Sequence, residues 1–373
     1  MAKSQTFAVF FYFCENHFLN YSMNYFSRFK KLFVSLSLFL LWACSSEKEQ
    51  VMEACLPSPD ISKIALDVEF VRIDKEIIQA DTNDAEKAIR DILQKHPLYD
   101  RFYLLRPAQS PQDIMIPMLG AMAKEPHLDT LLSDYEKAID IPKLQEELIF
   151  LFKNIKAYYP DFIVPKVYFS ISGMGSFALN QASDIFLSRN NEVLVIGLDW
   201  FLGPTYRYPL PETIPQYIAR RYVWQNIPSF VAQLISNRYN DYNTEDQTML
   251  NEMLGYAKTY YFAQSVLPCL ADSTALGYTS KQMDYVLQNR DLIWKHYLDK
   301  QLFFVTAGRI KKDYVDESPF TLPISQDCPG GVARWTGLQM LKLYSQKKKL
   351  KLPEVMKITD AQMVLNESGY KGR

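Results

Sequence analysis

The chain has 373 residues, 48% of them hydrophobic and 22% charged, a balance that excludes a disordered or low-complexity polymer. Its formal net charge of −1 leaves no electrostatic case for nucleic acid. There is no Cys-x-x-Cys among five cysteines and no i,i+4 pair among four histidines, which excludes the common dithiol and zinc motifs.

The N-terminal stretch carries an export pattern. Arg28, Lys30 and Lys31 form a basic flank, Leu32–Leu41 is apolar, and Leu41-Trp42-Ala43-Cys44 closes the run. So short a run falls well below the roughly 20 residues that span a bilayer. A cysteine directly after the small residue is similar to bacterial lipoprotein signals, which predicts lipidation of Cys44. Trp42 departs from that pattern. Met23 would open a signal of ordinary length, so residues 1–22 read as a mis-called extension and 23–43 as the signal peptide. Residues 44–60 read as a polar tether and 61–373 as a single domain. Two or more acyl chains anchor a protein stably, so the membrane is the first expected partner. Ser45, Glu47 and Glu49 favour the outer membrane, with the protein facing the periplasm.

Ile64, Leu66, Val68 and Phe70 alternate with polar or small residues and predict a half-buried strand. Helices follow at 84–95, 111–124, 128–139 and up to Tyr159, where Pro160 stops the last. Val167–Ile171 is a strand, Gly173 and Gly175 turn the chain, and a short strand is expected within 180–187. Val193–Ile196 is continuously apolar, so it should be buried on both faces. A helix is expected over 214–224, carrying Arg220 and Arg221. Another is expected over 227–239, with Pro228 just inside its start. Thr244 and Gln247 form a candidate capping box for a long helix to Leu267, and Thr279 and Gln282 form a second for a helix to about Leu302. Gly330 and Gly331 open a last main helix to Tyr344, and 360–368 closes the chain. The expected class is α+β, predominantly helical with a small sheet. Cys269 and Cys328 sit at element ends and are the guessed disulfide.

Strand, loop, strand, helix and long helix, in that order, is similar to the frame that holds H-E-x-x-H in zinc peptidases. No H-E-x-x-H occurs. On the 227–239 helix Gln233 and Asn237 hold the i,i+4 positions, Leu234 takes the place of the general base, and Leu254 takes the later ligand position. Neutral amides and leucines are not zinc donors of the usual kind. No metal and no cofactor is expected, and Gln233, Asn237, Leu254 and Tyr261 are the candidate lining of a partner groove. Gly173-Met174-Gly175 lacks the lysine and helix start of a phosphate loop.

The stretches 210–239, 253–261 with Leu267-Pro268, Gly277-Tyr278-Thr279 with Ile293-Trp294, 330–337 and 368–371 resemble the gliding-motility lipoprotein family GldB of the Bacteroidetes. The resemblance covers the signal and nearly all of the chain beyond it. It implies a zincin-like fold without metal ligands, and an envelope lipoprotein needed for gliding and linked to type IX secretion. It also implies other gliding and secretion envelope proteins as partners. The leading expectation is a non-catalytic binding or assembly factor. The competing one is a divergent envelope hydrolase using groups such as Asp199, Glu212 or Glu252. A third is scaffolding through an aromatic surface, since 14% of residues are aromatic.

Overall fold

A computed structural model describes residues 55–105, 114–174 and 184–373. The extension, the signal, Cys44 and the tether as far as 54 lie outside the described residues, as do Pro111 and Gly175. The described residues fall within one compact unit, Glu53–Arg373.

Four short strands form the sheet: β1 (Phe70–Arg72), β2 (Lys166–Ser170), β3 (Ile185–Leu187) and β4 (Val193–Gly197). Their order is β1-β2-β4-β3. β1 and β4 run parallel to β2, with Phe70 opposite Val167 and Lys166 opposite Val193, while β3 runs antiparallel to β4. The β3–β4 hairpin turns through Asn191, whose φ of 59° asparagine tolerates better than most residues. Its turn is fixed by Ser188, whose N–H donates to the Val193 carbonyl at 2.9 Å. β4 is buried throughout, as its unbroken apolar run predicts. The expected strand over 64–70 shrinks to its last residue. Residues 64–69 keep the alternating exposure of a strand but lie outside the regular ladder that begins at Phe70.

Between β1 and β2 come α1 (Ile73–Ile78), α2 (Ala85–Lys95), α3 (Met115–Ala123), α4 (Leu128–Ala138) and α5 (Ile141–Tyr158). The caps are local: the Asp84 side chain accepts from the Lys87 N–H and that of Asp140 from the Lys143 N–H. After β4 come α6 (Gln216–Ala219), α7 (Ile227–Ser236), α8 (Met249–Val266), α9 (Asp272–Leu276), α10 (Ser280–Gln288) and α11 (Arg290–Asp299). α12 (Gly308–Val315), α13 (Val332–Lys348), α14 (Leu352–Met356) and α15 (Ala361–Ser368) complete the chain.

Four further expectations are corrected. The 214–224 helix reduces to the single turn α6 after Pro215, and Arg220 and Arg221 fall in the turn that follows, because Val223 is drawn into an antiparallel bridge with Leu202. Thr244 does not cap the long helix. Thr248 does, its hydroxyl accepting from the Asn251 N–H at 3.3 Å, while Gln247 bonds back to the Thr244 carbonyl at 2.7 Å. The disulfide joins Cys55 to Cys269, with Cα atoms 4.5 Å apart, and Cys328 is a buried free thiol. Sequence order says nothing of which cysteines approach to bonding distance. The Thr279–Gln282 capping box forms as read, but its helix is broken at Asn289.

α8 is apolar nearly all round and central, and α13 packs along it. A Cβ on Gly337 of α13 would stand 2.7 Å from the Met253 carbonyl oxygen, so the absence of a side chain sets how closely these helices approach. Lys258 is 1% exposed within α8. Its ammonium group donates to the carbonyls of Asp241, Met356 and Ile358, tying the C-terminal segment to the helix.

Candidate functional site

A cleft of about 370 Å³ opens beside α7. α7 starts at Ile227 with Pro228 in its first turn, and its buried side, Ile227, Val231, Ala232 and Ile235, faces the core. The remaining face presents Ser229, Phe230, Gln233, Leu234 and Asn237 to the cleft. Tyr256, Thr259 and Tyr260 of α8 form a second wall. The end of α9, Thr274–Gly277, forms a third, and Arg221, Asn226, Glu317 and Arg334 complete the lining.

The Gln233 amide is anchored, donating to the Ser229 hydroxyl at 3.1 Å and the Ala275 carbonyl at 3.2 Å. Asn237, one turn on, is exposed. Leu254 and Tyr261 are buried at 5% and 6% exposure and lie outside the lining, packed into the core. The structure thus brings two of the four sequence candidates together and places the other two behind the wall.

Charge in the cleft comes from residues that sequence reasoning passed over. Glu317 bridges two guanidiniums, 3.0 Å from Arg221 and 2.7 Å from Arg334. Arg334 also donates to the Val315 carbonyl at 2.6 Å and lies 4.0 Å from the centroid of the Tyr256 ring. Burial works against the charge on Arg334, yet Tyr260, Glu317 and Tyr256 more than offset it and hold its pKa above the ordinary value. Burial raises the Tyr260 phenol, which stays protonated at neutral pH.

Gly277 seats this cluster. It ends α9 at φ +70°, and a Cβ there would stand 2.1 Å from the Arg221 Nε. Arg220 lies outside the cleft lining and donates to the Gly277 carbonyl at 2.9 Å and to Gln282 at 2.8 Å. The signal available in the sequence was the adjacent pair Arg220-Arg221 and the arginine within 330–337. Neither has a spacing that announces a shared site.

The hydrolase candidates are dispersed into separate roles. Asp199 is buried and accepts from the Met174 N–H at 2.8 Å and the Ser172 N–H at 3.0 Å, with burial raising its pKa. Glu252 pairs with Lys311, and Glu212 is exposed in a turn. Among the described residues no group of three or more His, Cys, Asp or Glu is placed to hold a metal. Among them, too, no helix is long and apolar enough to cross a membrane.

No curated protein and no solved structure matches this chain. The family model described as gliding motility protein GldB, a lipoprotein family, matches residues 55–372. That span takes in every strand and helix described above, together with the cleft, and the chain therefore belongs to the GldB family of gliding motility proteins.

Proposed function

We propose that this protein is a non-catalytic binding or assembly factor of the gliding apparatus, linked to type IX secretion. In this reading it is held by lipid on Cys44 in the outer membrane, facing the periplasm, and engages its envelope partners through the α7 cleft. One observation carries the proposal. Gln233 of α7 and Asn237 just past its end, one turn apart, place two neutral amides on the wall of a cleft. The reading takes the domain as a zincin-like fold without its metal ligands, with Leu234 and Leu254 in the positions of the base and the later ligand. Such a donor set suits hydrogen bonding to a polypeptide better than Lewis-acid chemistry. The charged groups of the cleft support the same reading, since Glu317 is engaged by two arginines instead of standing beside a nucleophile.

The test is complementation in a gliding strain lacking its own copy. Gln233→Ala with Asn237→Ala should keep the fold and abundance, with a loss of stability of about 1 kcal/mol from the Gln233 bonds to Ser229 and Ala275, while colony spreading and single-cell movement fall. Normal gliding by that variant would remove the cleft as the functional surface. Stoichiometric zinc in the purified protein, lost in the same double variant, would reinstate a peptidase with unusual ligands.

A further inference from the structure

The cleft holds more positive charge than its own fold uses. Counting formal charges, Arg221, Arg334 and Glu317 sum to +1, and no other acidic residue lines the cleft among the described residues. Each guanidinium offers five N–H donors. Arg334 directs Nε to the Val315 carbonyl and Nη1 to Glu317 and the Tyr260 hydroxyl, which leaves its Nη2 for a ligand. Arg221 directs Nη2 to Glu317, while its Nε is buried and has no hydrogen-bond partner. Gly277 leaves the space that Arg221 fills. Glu317, with a side chain 37% exposed, already shows that one carboxylate fits between the two arginines. Charge-assisted bonds of this kind are the stronger class of hydrogen bond, and paired guanidiniums favour planar anions. The remaining walls are mixed: Phe230, Leu234 and Leu276 are apolar, and the Asn237 amide is exposed. At about 370 Å³ the space lies near the lower end of ligand clefts, about 300–1,000 Å³, which suits the end of a chain better than a long bound segment.

We infer that the cleft captures the C-terminal carboxylate of a polypeptide, seated against Arg221 and Arg334 beside Glu317. An apolar final side chain lies on Phe230, Leu234 and Leu276, and the preceding peptide group meets Asn237. The inference rests on the reading of the cleft as a partner site and names the chemistry of that partner.

The probes are acetyl-Gly-Ala-Leu with a free carboxylate, the same peptide amidated, and inorganic phosphate. Each is titrated calorimetrically at low salt into the purified full-length lipoprotein in detergent. The acid should bind about tenfold or more tighter than the amide. Arg221→Gln should erase that difference. Glu317→Gln raises the formal charge of the site and should tighten acid binding several-fold while leaving the amide unchanged. A loss of fold cannot move the two variants in opposite directions. Equal affinity for acid and amide, phosphate binding as tightly as the acid, absence of binding up to about 10 mM, or weaker acid binding by Glu317→Gln would each overturn the inference. None of these outcomes touches the partner reading itself, which stands or falls on gliding by the Gln233 and Asn237 variant.

Discussion

Lys258 shows how one residue can be both a fastening and a liability. Its ammonium group satisfies three backbone carbonyls, but burial pushes its pKa down to about 8 from 10.5. Below pH 8 both folded and unfolded chains carry the proton, and the penalty for burying the charge is fully present. Between about 8 and 10.5 the folded state gives up its proton first, so this group's contribution to stability rises with pH across that window. The rise is roughly 3 kcal/mol as an order of magnitude. Urea melts at pH 7.5 and 9.5 should therefore show the stability difference between wild type and Lys258→Met moving in favour of wild type at the higher pH. An unchanged difference would mean that the amine stays protonated throughout.

At the scale of the element, the start of α8 separates a sequence motif from the cap that forms. Both Thr244 and Thr248 stand where a capping hydroxyl could act, and the Gln three after Thr244 makes it the better-looking choice. The chain instead runs on through a turn, and Thr248 meets the Asn251 N–H. Thr248→Ala should lower stability by about 1 kcal/mol, whereas Thr244→Ala, at an exposed position, should stay within about 0.5 kcal/mol in the same urea melts. The α8–α13 crossing gives a second prediction. Alanine at Gly337 gains about 1 kcal/mol in helix propensity, but its Cβ meets a backbone carbonyl that cannot rotate away. Overpacking of this kind costs about 1–3 kcal/mol. Gly337→Ala should therefore lose stability overall in thermal melts, and Gly337→Leu should lose more.

For the whole molecule, the long-range fastening is the Cys55–Cys269 bond, which spans 214 residues and ties the start of the domain to the end of α8. Removing a native disulfide typically costs about 2–5 kcal/mol. Cys269→Ser should lose an amount in that range, and reductant should lower the Tm of wild type while leaving that variant unmoved. Cys328 gives an independent check on connectivity. Burial pushes its thiol up to about 12, so a thiol reagent should reach it in the unfolded protein and hardly at all in the folded one. Fast labelling of Cys328 in the native state would contradict its buried position.

Periodicity, capping residues and proline stops were enough to place most helices, the fully buried β4 and the α+β class, because each depends on neighbours within a few positions along the chain. The family signature was likewise legible along the sequence. Arg221, Glu317 and Arg334 come from a turn, a loop and a helix, with Arg221 far from the other two in sequence, and the packing of α8, α9 and α13 draws them together. The pairing of Cys55 with Cys269 and the shortening of the 214–224 helix to one turn were decided in the same way. Long-range approach sets them, and local propensity carries no record of which distant segment will arrive.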